Sequence, residues 1–380
     1  MADLTHLQDF IEPVSKAWLN DDQEYDPAQM GGAIDTYESE AYFPDLDTAD
    51  IVLLGVGEER GSFPPRNSMD GPNAIRREFY NLYYWHNDVR VADIGNLLPG
   101  QGLGDAYAAL SAVLTPLIDA GKTVVILGGS HDLTYAQYQA YASKHYIIEA
   151  TVADALIDLQ EGSPRRDLSF LMDMLTEQPN YIKHFNHLAF QSYYVHPRML
   201  ETLDKLRFDC YRLGRVRENL DEIEPVLRNT DLFSLDLNVL RASDAPATAI
   251  SPNGLTGEEA CVLARHAGMS DRLSSFGIYG YKTGADKGSM TAKQVSQMLW
   301  YFIDGRSVKN REAALTERES FWEFHIAGAD IETVFLKSKK TQRWWMQLPS
   351  NDFVPCSHHD YLLASNNEIP ERWLRHQERL

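Results

Sequence analysis

"IVLLGVG", residues 51–57, is a short apolar run closed by glycine. It is too short for a typical globular helix. It also lacks the apolar–polar alternation of a strand with one wet face, so it reads as a strand buried on both faces. Outward from it, "GPNAIRREFYNLYYW" (71–85) reads as a helix and "VRVADIG" (89–95) as a second strand. "DAYAALSAVLTPLIDAG" (105–121) is a helix stopped by glycine, and "TVVILGG" (123–129) a third strand. "LFSLDLNVL" (232–240) and "SSFGIYGY" (274–281) are later strands, and "TAKQVSQMLWYFIDG" (291–305) is a helix at 3.6-residue spacing. Alternating units of this kind predict an α/β fold, a parallel sheet covered by helices on both faces. Ligands in such sheets sit beyond the carboxyl ends of the strands.

The 380 residues are 44% hydrophobic and 11% aromatic, enough for a substantial core, and carry a formal charge of −20. That charge argues against nucleic acid, whose binders need a basic face, and against anionic membranes. The first 26 residues are acidic and lack a long apolar run, so they read as neither signal nor transit peptide. No stretch has the apolar length of a membrane span. Cys210, Cys261 and Cys356 are far apart and form no CxxC pair, so a reducing cytoplasm is the expected compartment. Residues 1–45 are expected to form an N-terminal extension and 46–308 the α/β domain. Residues 309–380, which hold few recognisable elements, are expected to form an extension packed on it. "RSVKNREAALTER" (306–318) reads as a solvated connector.

Chemistry-bearing residues fall at strand ends. "LGGSHDLTY" places His131 past the third strand, and "VADALID" places Asp154 and Asp158 past the next. "SLDLN" places Asp236 and Asn238 on a later strand, where i and i+2 share a face. Taken singly, each has a bland reading as a turn or capping residue. Taken together, an imidazole and several carboxylates suit a divalent cation such as Mn²⁺.

These segments resemble the ureohydrolase superfamily of arginases, agmatinases and formimidoylglutamases. "LLGVGEERG…GPNAIRREF", "GGSHD", "DALID", "SLDLN" and "SDAPATAISPNGLTGEEA" (243–260) occur in the family's order across about residues 50–305. "YRLGRVREN", "MLWYFIDG", "RWWM" and "EIPERW" are most similar to a bacterial branch of formimidoylglutamases. The resemblance implies a three-layer α/β/α sandwich around an eight-stranded parallel sheet, and an assembly that is commonly trimeric or hexameric. It implies amidine or guanidine hydrolysis by a hydroxide bridging two Mn²⁺ ions. His131, Asp154, Asp158 and Asp236 match the ligands of one metal. The second metal's own ligands, a histidine and an aspartate, are replaced by Leu156 and Asn238. Gly280 stands where the family carries a substrate-orienting glutamate.

Leucine offers no donor atom and asparagine no charge, so at most one Mn²⁺ is expected. The leading reading is therefore a pseudoenzyme, a homo-oligomer with a binding or scaffold role toward a small amidine or amino-acid ligand. The alternative is an active metal-dependent hydrolase converting N-formimidoyl-L-glutamate to L-glutamate and formamide. A third reading places a protein partner on the C-terminal extension at "RWW" (343–345), tryptophans that more simply seal the core. His184, His187 and His196 lie where the family places a proton-shuttling histidine, but their surroundings do not match its motif, so they read as surface or core residues.

Overall fold

A computed structural model describes residues 4–62, 70–248, 250–327 and 332–378; Ala249 of the 243–260 segment lies outside them. Eight strands form the central sheet. They are β1 (Ile51–Gly55), β2 (Val91–Leu97), β3 (Thr123–Leu127), β4 (Ile148–Ala153), β5 (Ile182–Phe190), β6 (Asp209–Arg212), β7 (Leu232–Asp236) and β8 (Ser275–Tyr279). They pair in parallel in the order β2-β1-β3-β8-β7-β4-β5-β6. Two short N-terminal pieces extend the β2 edge. Ile11–Glu12 pairs antiparallel with it and Asp35–Thr36 parallel.

Both faces are buried, as continuous apolar strands require. Along β1 the period of two sends Ile51 and Leu53 to one helical layer and Val52 and Leu54 to the other. The first layer holds helices α1 (Gly71–Phe79), α5 (Leu220–Arg228), α6 (Gly257–Gly268) and α7 (Met290–Asn310). The second holds α2 (Leu103–Asp119), α3 (Leu133–Ala142) and α4 (Phe170–Thr176).

Several sequence expectations need correction. Helix α1 ends at Phe79 rather than near residue 85, because Tyr80 turns into the core and its hydroxyl donates to Asp93 at 2.8 Å. The strand expected over 232–240 stops at Asp236 and passes into a 3-10 turn, Leu237–Val239. Asp236 and Asn238 therefore do not share a strand face. The supposed solvated connector at 306–318 begins as the last turn of α7 and is then tied down. Glu312 accepts from Ser338 at 2.6 Å and pairs with Arg343 at 3.2 Å. Strands β5 and β6 were not expected as strands, although "YRLGRVREN" begins in β6.

The C-terminal region also has more structure than its composition suggested. β9 (Phe321–Ala327), β10 (Glu332–Ser338), β11 (Trp344–Gln347) and β12 (Phe353–Cys356) form an antiparallel sheet. Helices α8 (His358–Ser365) and α9 (Glu371–Glu378) follow. The sheet docks on α5 through Arg228, which is fully buried. Arg228 pairs with Glu224 at 2.7 Å and donates to the carbonyls of Trp344 at 3.1 Å and Cys356 at 3.4 Å. Among the described residues, no helix is long and apolar enough to cross a membrane.

Candidate metal centre

The strand order explains why residues a hundred positions apart meet. β3, β8, β7 and β4 are consecutive neighbours, and their carboxyl ends deliver His131, Gly280, Asp236 and Asp154 to one cavity of about 140 Å³. His131 gets there through a left-handed turn. Gly129 has φ +85°, and a Cβ on it would lie 2.3 Å from Leu133 Cδ1 and 2.9 Å from the Glu58 carbonyl.

His131 Nδ1 lies 2.8 Å from Asp158 Oδ2, 3.4 Å from Asp154 Oδ2 and 3.7 Å from Asp236 Oδ2. Donor atoms of His131, Asp154 and Asp236 all lie within 4.8 Å of one another, and Asp158 adjoins them through His131. The other ring nitrogen of His131, Nε2, is 3.1 Å from Ser234 Oγ, which is itself 2.6 Å from Thr134 Oγ1. This pairing orients the ring with Nδ1 toward the carboxylates.

Asp154 and Asp236 share a device. Each Oδ1 accepts the backbone N–H two residues on, from Leu156 at 3.2 Å and from Asn238 at 2.7 Å. Each Oδ2 is left facing His131. The turn-forming role and the ligand geometry thus coexist in one carboxylate, one oxygen for each. Leu156 and Asn238 line the same cavity.

The electrostatics follow from burial. Asp236, nearly inaccessible, is pushed up to about 7 by burial and by the charge of Asp154. Burial and Asp158 push Asp154 up to about 6, and burial raises Asp158 as well. For His131, burial disfavours the charge, but the three carboxylates outweigh it and hold its pKa well above the ordinary value. Without a cation these groups retain protons.

The residues fit one divalent cation. His131 Nδ1 and Asp158 Oδ2 are buried and face only one another and the neighbouring carboxylates, Asn238 Oδ1 is buried without a hydrogen-bond partner among the described residues, and the donor set of one imidazole nitrogen and carboxylate oxygens suits a borderline or hard ion. Because the ligands must lose protons to bind, cation affinity should climb as pH rises through about 6 to 7, and further as His131 gives up its proton. Calorimetric titration with Mn²⁺ at pH 5.5 and 8 measures this.

A fold and a site of this kind have relatives. A family model described as the arginase family matches residues 49–304, more than half of the sequence. The chain belongs to the arginase family. A formimidoylglutamase of Halobacterium salinarum is 25% identical over 296 residues, which span 73% of this chain and 94% of the relative. A formimidoylglutamase of Lysinibacillus sphaericus is 24% identical over 253 residues, 63% of this chain and 77% of the relative. The fold is that of the formiminoglutamase of Trypanosoma cruzi, solved with Mn²⁺. That match has a TM-score of 0.65 at 18% identity and covers 73% of this chain and 98% of that one. The Bacillus subtilis formimidoylglutamase matches with a TM-score of 0.65 at 19% identity, covering 75% and 94%.

In this arginase-family protein the three departures lie in the same cavity. Gly280 has φ +81°, and a Cβ on it would lie 2.7 Å from Asp236 Oδ1, so that position holds no side chain without displacing a carboxylate. Replacing it by glutamate is therefore no route to a substrate-orienting carboxylate. His184, His187 and His196 take no part in the cavity. His184 and His187 are buried on β5, and His196 caps the helix Pro197–Lys205. Sequence reasoning missed Ser234, although its i−2 spacing from Asp236 on β7 was a usable signal. It also missed the paired Arg165 and Asp167, and Lys282, all of which line the cavity.

Proposed function

We propose that this chain is a single-cation member of the arginase family that binds a divalent ion, Mn²⁺ by its donor set, and does not hydrolyse amidines. The observation that carries the reading is Gly280, whose left-handed backbone sits against Asp236 in the position where a carboxylate would hold a cationic substrate. Leu156 adds apolar volume and no donor beside it. When bound, a divalent cation supplies charge and Lewis acidity to the cavity. Ser234 orients His131, and the backbone N–H groups of Leu156 and Asn238 fix the two aspartates. Among the described residues lining the cavity, the carboxylates beyond the proposed cation ligands are Asp167, paired with Arg165, and Glu59, which engages partners of its own. The Lys282 ammonium, also in the cavity, would repel an amidinium.

A second reading, formimidoylglutamase activity with one ion, draws support from relatives of that name aligned over most of their length. Incubating Mn²⁺-loaded protein with N-formimidoyl-L-glutamate, arginine and agmatine separates the two. The proposal expects no glutamate, formamide or urea above the protein-free control. Sustained turnover of any of the three overturns it.

A further inference from the structure

Lys282 lines the cavity among the metal-ligating side chains, on the loop that leaves β8. That loop is held firmly. The Tyr281 hydroxyl donates to Asp286 Oδ2 at 2.9 Å, and Asp286 accepts the backbone N–H groups of Thr291 and Ala292, each at 3.0 Å, at the start of α7. The other basic group of the cavity, Arg165, is committed. It pairs in bidentate fashion with Asp167 at 3.0 and 2.5 Å, so the two contribute no net charge. Glu59 also lines the cavity and engages partners of its own. Lys282 differs from both. Among the described residues its ammonium makes no ion pair or hydrogen bond, and its charge bears on Asp236.

Charge balance among the cation ligands then matters. Asp154, Asp158 and Asp236, ionised, bring three negative charges into a buried site. A single divalent cation leaves one of them uncompensated. In a low-dielectric cavity that residue of charge is costly.

We propose that Lys282 supplies the last positive charge of the centre, standing in place of a second metal ion and setting the site for one divalent cation. This inference rests on the single-cation reading above. Lys282 is a positioning and selectivity residue, acting by its charge across the cavity. It should repel a trivalent ion more than a divalent one, since repulsion scales with the charge of the ion.

The test compares wild type, Lys282→Met and Lys282→Arg by calorimetric titration with Mn²⁺ and by luminescence titration with Tb³⁺. Circular dichroism and thermal melting establish that each variant is folded. Lys282→Met should bind Mn²⁺ about tenfold more tightly and Tb³⁺ about thirtyfold more tightly, the ratio that charges of two and three dictate. Lys282→Arg keeps the charge and should match wild type for both ions. Equal or weaker affinity of Lys282→Met for both ions, with wild type still binding one Mn²⁺, overturns this inference and leaves the single-cation reading standing. Folded wild type that binds no Mn²⁺ overturns both.

Discussion

Asp236→Asn should make the metal-free protein more stable at pH 8 while destroying its response to divalent cation. The two effects have one origin. Asp236 is buried, and its folded pKa lies at about 7 against an unfolded value near 3.8. Between those values the folded state holds a proton that the unfolded state has lost, so stability falls as pH rises across that window. Above it, the wild type carries the full cost of a buried charge, on the order of 4 kcal/mol. Asparagine removes that cost and still offers an oxygen to the backbone N–H of Asn238. The cation, however, loses one of three negative charges, on the order of 4 kcal/mol per unit of its own charge at about 4 Å, so a divalent ion loses at least about a thousandfold in affinity. Melting both proteins at pH 5 and 8, with and without Mn²⁺, reads the two effects. Parallel pH curves, or an undiminished Mn²⁺ shift in Asp236→Asn, would show that this carboxylate neither bears buried charge nor meets the cation.

Trp345→Ala should cost about 3–5 kcal/mol of stability, toward the upper end of the range for a buried tryptophan. The ring is 4% exposed and packs edge-on to Phe321 at 5.6 Å. It also lies under two guanidinium groups, Arg228 at 4.5 Å and Arg343 at 5.4 Å. Arg228 is the buried link between α5 and the C-terminal sheet. Without the ring it loses the stacking that accompanies its pairing with Glu224. Deleting residues 336–380 should go further and leave the chain aggregated, because the carbonyls of Trp344 and Cys356 that accept from Arg228 go with it. Urea unfolding of the point variant and solubility of the truncation measure these effects. A truncated chain of undiminished stability would favour a partner-binding surface on this region instead.

The parts of the fold that were legible in sequence are those whose signal is local. β1, β3 and β8 announce themselves as apolar runs with glycine punctuation, and α7 by its periodicity. β5 was hidden because His184, Asn186 and His187 interrupt it with polar residues. These are tolerated since His184 and Asn186 find partners inside the sheet, His184 lying 3.0 Å from Asp209. The C-terminal sheet was hidden because β9 and β10 mix charged and polar residues with their apolar ones and β11 and β12 are only four residues long. At the site, His131, Asp154 and Asp236 were found through their strand-end positions. Lys282 was not found, because an unpaired cation among aspartates has no sequence signature. Its meaning depends on which carboxylates already have partners.

The most direct test counts ions and turnover on one preparation. Protein equilibrated with excess Mn²⁺ at pH 8, freed of unbound metal and measured by elemental analysis, should hold one ion per chain. It should release no glutamate or formamide from N-formimidoyl-L-glutamate. Two ions per chain, or steady release of those products, would contradict the account.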